Sequence, residues 1–166
     1  MDVKWSGDYL DIISPEGYQY ECVDEPDMVL AFPKIGGKYI VRKEVCPAYT
    51  IKGKDQKYWT MISGTMEKGE SPLQTLRREM GEETPVKPNR IRLIDRKEKF
   101  PLIKLTTCRA SLYHFEVLDY EETEAPGDGS DVEKESSYAF LTPEEIKAVS
   151  QTKNCDFTLM YCSQII

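Results

Sequence analysis

Alternation of apolar and polar positions governs the first sixty residues and predicts strands rather than helices. Trp5 to Ile13 alternates loosely, Pro15-Glu16-Gly17 is a turn signal, and Gly17 to Val23 returns with aromatic and β-branched positions. Residues 1–25 therefore read as an N-terminal hairpin. Met28 to Phe32 and Lys38 to Arg42 are two further apolar runs. Between them lies Gly36-Gly37, a good hairpin turn because both residues accept positive φ. Tyr49 to Lys57 carries glycine and charge and predicts a loop, and Tyr58 to Ile62 predicts another strand.

The period then lengthens. Leu73, Leu76 and Met80 recur at helical spacing and predict a helix over 72–83 with these three as its buried stripe. Ser71 stands at the N-cap, and Pro72 occupies the first helical position, where a missing N–H costs nothing. Pro85 and Pro88 end the helix. Strands follow over 91–96 and 106–117. The acidic stretch from Asp119 to Glu135 lacks apolar periodicity and predicts a loop. A strand over 138–141 leads to Thr142, which caps a helix over 143–149 with Glu145 at the capping-box position. A last helix covers 157–165. No repeat or linker interrupts this order, so the expectation is one mixed α/β domain spanning 1–166.

Composition narrows the function classes. Of 166 residues, 40% are hydrophobic and 31% charged, enough to bury a core, and the formal net charge of −7 opposes non-specific nucleic-acid binding. An anionic substrate would need local cations or metal. No apolar run approaches the ~20 residues that span a bilayer, and no leader opens the chain, so no membrane partner and a cytoplasmic location are expected. Cys22, Cys46, Cys108, Cys155 and Cys162 are scattered, without a CxxC pair and with His114 as the sole histidine, which reads as thiols in a reducing compartment rather than a zinc site. A Cys108–His114 pair, six residues apart on a strand, would be separated by about 20 Å.

The chemistry concentrates on the helix over 72–83. Glu79, Glu82 and Glu83 stand at i, i+3 and i+4, so that their carboxylates share one surface near the negative end of the helix dipole. Repulsion there weakens an isolated helix, and a hard divalent cation such as Mg²⁺ or Mn²⁺ reverses the sign. Ser63-Gly64 upstream is read as the turn out of the preceding strand, exposing a backbone carbonyl. Glu70 precedes the helix, and Arg78 can hold a glutamate by a bidentate bond.

Gly64 to Val86, GTMEKGESPLQTLRREMGEETPV, resembles the Nudix box, G-x5-E-x7-R-E-U-x-E-E-x-G-U with U aliphatic. Gly64, Glu70, Arg78, Glu79, Met80, Glu82, Glu83 and Val86 fall in register, and Pro85 stands where the family has glycine. Proline cannot adopt positive φ and drives Thr84 away from helical angles, so the helix exit must differ from the family pattern. The resemblance implies a Nudix-type α/β/α sandwich with a mixed β-sheet and an N-terminal β-hairpin extension. It also implies Mg²⁺ (or Mn²⁺) held by Glu79, Glu82, Glu83 and the Gly64 carbonyl, oriented by Glu70 and Arg78, with hydrolysis of a diphosphate. A general base or further ligand on the later loop would be Glu122, Glu124, Glu133 or Glu135, and no motif selects among them.

The N-terminal region and YIVR strand look like the ADP-ribose pyrophosphatase branch, which implies a homodimer and ADP-ribose or a related nucleotide sugar as substrate. Tyr49, Tyr58 and Trp59 are candidates to stack an adenine, and Arg42 to contact a phosphate. The alternative readings are core packing for Trp59 and a carboxylate partner for Arg42. Hydrolysis of dinucleoside polyphosphates, mRNA caps or nucleoside triphosphates is the other enzymatic expectation, and a non-catalytic nucleotide-binding module the third. An RNA-end enzyme calls for a basic groove, whereas Arg90, Arg92, Arg96, Lys97 and Lys99 read as a solvated strand face.

Overall fold

The computed structural model describes residues 2–7, 10–17, 20–45, 57–125, 127 and 134–166. Three short strands, β1 (Asp2–Ser6), β2 (Asp11–Ser14) and β3 (Cys22–Asp24), form an antiparallel meander of their own. The expected hairpin thus gains a third strand. The run from Trp5 to Ile13 is not continuous, because pairing of Ser6 with Asp11 folds it back on itself.

The main sheet is built on β4 (Met28–Ile35) and β5 (Lys38–Val45), joined through Gly36 and Gly37 at φ 54° and 85°, the positive values the turn requires. The two strands pair only beside the turn, at Lys34–Tyr39 and Ile35–Lys38, and then part. Two strands fill the wedge: β6 (Lys57–Thr60) pairs with β5, and β7 (Ile62–Thr65) with β4. The single strand expected over 58–62 is therefore two, separated at Met61, since one straight segment cannot follow both edges.

Helix α1 (Pro72–Glu83) leads into a long antiparallel pair, β8 (Val86–Pro101) and β9 (Arg109–Glu122), and β9 runs parallel to β4. Strand β8 outruns its expected bounds at both ends, whereas β9 starts later than the expected Thr106 and runs on past Val117. Pro88 sits inside β8 rather than after the helix as a breaker, tolerated because β8 is an edge strand paired on one side. Residues 119–122, expected in the acidic loop, continue β9. Strand β10 (Ser137–Leu141) closes the other edge against β5, and α2 (Pro143–Ser150) and α3 (Phe157–Cys162) follow. Thr142 and Glu145 form the expected reciprocal cap, with Thr142 N–H on Glu145 Oε2 at 2.7 Å and Glu145 N–H on Thr142 Oγ1 at 3.2 Å.

Period-2 alternation sends each strand's residues to two layers. Val29, Ala31, Ile40, Phe115 and Val117 meet Leu76 and Met80 of α1 on one face of the sheet. Leu30, Phe32, Tyr39, Val41 and Leu112 meet Ile146 and Leu159 of α2 and α3 on the other. This is an α/β/α sandwich around a mixed sheet. Leu73, expected in the buried stripe, is 40% exposed, and Thr75 takes its place in the core. No helix among the described residues is long and apolar enough to cross a membrane.

Candidate active site

The first turn of α1 is closed by Gln74, whose side-chain oxygen accepts from Ser71 N–H at 2.8 Å and Ser71 Oγ at 2.7 Å. The period that turns Leu76 and Met80 into the core leaves Arg78, Glu79, Glu82 and Glu83 along its border. Glu79 and Glu83 are only 8% and 7% exposed, unusual for carboxylates.

Arg78 is the hub of this border. Its Nε and Nη2 lie 3.1 Å from the two oxygens of Glu70, a bidentate fork, and Nη1 reaches Glu79 Oε1 at 2.7 Å and Glu82 Oε2 at 3.2 Å. Nη2 also donates to the Thr65 carbonyl at 3.0 Å. Hydrogen bonding to Arg78 pulls the Glu70 carboxyl from its ordinary 4.5 to about 2, and the Arg78 guanidinium is raised by the same contact. The repulsion expected between the glutamates is thus partly met by a guanidinium shared among them.

Gly64 lies inside β7, paired with Val29, rather than at a turn out of a strand. Its glycine serves closeness: a Cβ there would stand 2.0 Å from Glu79 Cδ. Backbone and carboxylate are pressed together, and with Glu82 and Glu83 beside them the donors are all hard oxygens, the chemistry that suits Mg²⁺ or Mn²⁺. Among the described residues, no three Asp, Glu, His or Cys side chains form a ready-made cation cage.

Arg42 reaches the site from β5. Ile40 and Arg42 point to the α1 face, and the Arg42 guanidinium is buried, its Nη1 donating to the Glu83 carbonyl at 2.9 Å. Nη2 lies 3.4 Å from Glu83 Oε1 and Nε 3.4 Å from Glu44 Oε1. Tyr58 donates in turn to Glu44 Oε2 at 3.2 Å. Arg42 is therefore a carboxylate partner, and a relay from Tyr58 through Glu44 and Arg42 ends on Glu83.

The exit of α1 differs from the family pattern as Pro85 requires. Thr84 leaves extended, at φ −139° and ψ 160°, and its hydroxyl donates to the Met80 carbonyl at 2.6 Å while accepting from Val86 N–H at 3.2 Å. Each of the last four helix carbonyls, which have no partner within a helix, is met from elsewhere. Met80 takes Thr84 N–H, Gly81 the Thr123 hydroxyl at 2.8 Å, Glu82 the Gly127 N–H at 2.9 Å, and Glu83 takes Arg42. The segment that follows β9 is thereby tied to the helix end.

That tie shapes a cleft of about 340 Å³, lined by Arg42, Glu82, Glu83, Glu124 and Tyr138 among others. Of the loop carboxylates, Glu124 enters the lining. Glu122 is exposed at the end of β9, Glu135 is exposed with its carbonyl accepting from Lys57, and Glu133 lies outside the described residues. The structure does not bring Trp59 to the cleft. Trp59 pairs with Lys43 on the face opposite Arg42, where Lys43 Nζ stands 5.3 Å from its ring centroid, and it packs toward the α2–α3 core. Tyr49 lies outside the described residues. Glu44, Thr123 and Tyr138 escaped the sequence reading. Glu44 alone had a signal, two positions after Arg42 on one strand face.

Away from the cleft, His114 lies tilted against the rings of Phe32 and Tyr39, and burial lowers its pKa. Cys22, Cys108, Cys155 and Cys162 are free thiols. The exposed residues of β8 pair locally, Arg92 with Glu116 and Arg96 with Glu98.

Comparison with known proteins agrees with this fold. The crystal structure of an ADP compounds hydrolase is similar to this chain with a TM-score of 0.61 at 12% sequence identity, covering 92% of this chain and 81% of that one. No curated protein matches the sequence. The family model described as NUDIX domain matches residues 39–158, from Tyr39 on β5 through α1 and both sides of the cleft. With well over half of its length matched, the chain belongs to the NUDIX domain family and is a Nudix hydrolase.

Proposed function

We propose that this Nudix hydrolase cleaves a nucleoside diphosphate linked to another group, with ADP-ribose or a related nucleotide sugar as substrate and AMP plus a sugar phosphate as products. The observation that carries the reading is the cleft in which Glu82 and Glu83 of the box share a lining with Arg42 and Glu124. The similar fold of an ADP compounds hydrolase supports the substrate class.

Glu79, Glu82, Glu83 and the Gly64 carbonyl are the donors that would hold Mg²⁺ or Mn²⁺, and the chemistry such ions supply when bound is polarisation of water and neutralisation of charge on the diphosphate. Arg78 and Glu70 orient Glu79 and Glu82 through the guanidinium fork. Arg42 holds the backbone and carboxylate of Glu83. Glu124, next to Thr123 and in the lining of the cleft, would be the loop carboxylate that accepts the proton of the attacking water. Val3 and Trp5, more than half exposed on the edge strand β1, support a homodimer that covers them. The free thiols support a cytoplasmic setting.

The test is a substrate panel with Mg²⁺ and Mn²⁺: ADP-ribose, other nucleotide sugars, dinucleoside polyphosphates, capped RNA and nucleoside triphosphates. The expected outcome is AMP from ADP-ribose, lost in Glu83→Gln with unchanged circular dichroism. Turnover confined to another substrate class, or nucleotide binding without turnover, overturns the assignment.

A further inference from the structure

We infer that Tyr138 is the base-stacking platform of the cleft, and so a residue that determines specificity for substrates carrying an aromatic base. The inference rests on the proposed reading of this cleft as a nucleotide site and deepens it.

Register supplies the first argument. Tyr138 pairs directly with Arg42, and Phe140 with Ile40, across β10 and β5. Directly opposed residues of an antiparallel pair project to the same face, with their Cβ atoms about 5 Å apart. Tyr138 therefore stands on the α1 side, next to the arginine whose guanidinium touches Glu83. Tyr138 and Glu83 line the same cleft, with Arg42 linking the strand that carries the ring to the helix end that carries the carboxylate.

Packing supplies the second. The Tyr138 and Phe140 rings meet edge to face, with centroids 6.1 Å apart and planes at 89°. Phe140 is itself packed against the core beneath α1, so the contact fixes the plane of Tyr138 from behind. Yet Tyr138 keeps 42% of its surface exposed and lines the cleft. A tyrosine braced on one edge and open toward a ligand cleft is a preorganised stacking surface.

The other aromatic candidates lie elsewhere. Tyr58 is on the correct face, but its hydroxyl is engaged by Glu44. Trp59 faces the opposite layer. Neither belongs to the lining of the cleft that holds Glu82 and Glu83.

The experiment measures equilibrium binding of AMP and of ribose 5-phosphate to the full chain and to Tyr138→Leu and Tyr138→Phe, alongside KM and kcat for ADP-ribose. The expected result is at least tenfold weaker AMP binding in Tyr138→Leu, with ribose 5-phosphate unchanged and Tyr138→Phe close to the parent. KM for ADP-ribose should rise by a similar factor at constant kcat. Equal AMP affinity in parent and Tyr138→Leu overturns the inference, as does a loss shared equally by both ligands or a parent that does not bind AMP. The two readings fail separately. Parent enzyme that hydrolyses ADP-ribose while Tyr138→Leu binds AMP normally removes only the stacking role. Parent enzyme that binds AMP through Tyr138 but cleaves no ADP-ribose removes only the substrate assignment.

Discussion

Arg42 donates to the main-chain carbonyl of Glu83 at 2.9 Å and places a second nitrogen 3.4 Å from the same residue's carboxylate, so one side chain holds both ends of the glutamate. Both partners are more than nine-tenths buried. Truncating one member of such a pair strands a charge away from water, and the loss is typically about 3–5 kcal/mol. Arg42→Met should therefore lower the unfolding free energy by that order in urea titrations. Arg42→Lys, which keeps charge but not the fork, should lose less stability and still reduce turnover.

Gly64→Ala tests the close approach of β7 to α1. The added methyl would stand 2.0 Å from Glu79 Cδ, so either the carboxylate or the strand must shift. Overpacking of this kind costs about 1–3 kcal/mol. Displacing a reacting group by about 1 Å costs on the order of 10²-fold in rate. The expected outcome is a modest drop in melting temperature with a large drop in kcat. Unaltered kcat would show that Glu79 can move without consequence.

Glu70 sets a pH dependence. Its folded pKa, about 2, lies below the ordinary 4.5 because Arg78 hydrogen-bonds the charged form. A depressed carboxyl adds stability that is complete above its unfolded pKa and disappears as pH falls through the folded value. Stability should therefore decline between about pH 5 and pH 2, and Glu70→Gln should be less stable at neutral pH with a shallower acid limb. Denaturant titrations at several pH values measure both slopes. Parallel curves for the two proteins would remove Glu70 from the account.

Pro85→Gly restores the family residue and should bring no gain. Thr84 is already extended and the exit is made by side-chain hydroxyls, so no positive φ is needed. Glycine would add freedom to the unfolded chain, and the expected cost is roughly 1 kcal/mol with turnover unchanged. Thr123→Val, which takes the hydroxyl from the Gly81 carbonyl, should cost about 1 kcal/mol, and Thr123→Ser should recover most of it. A Thr123→Val protein as stable as the parent would mean that water replaces the hydroxyl.

Local rules made α1 legible: Ser71, Pro72, Leu76, Met80 and Pro85 place its ends and its buried side from neighbouring residues alone. The box residues on it were readable for the same reason. What escaped depends on pairing between distant segments. The break at Met61 exists because β4 and β5 diverge, and nothing in YWTMI announces that. Leu73 satisfies the helical period but stays exposed at the start of the helix. Trp59 and Tyr58 are adjacent, so a choice of register decides which of them faces Arg42, and register belongs to the sheet. Tyr138 became visible as a cleft residue only once β10 was paired with β5.

Helix ends ordinarily fray, because their terminal carbonyls face water and open at little cost. In α1 the closing turn is gripped by groups from β5 and from the chain just beyond β9. Amide protons of that turn should consequently exchange with solvent as slowly as those of the sheet beneath it, and the box glutamates are carried on a rigid mount rather than a loose tip.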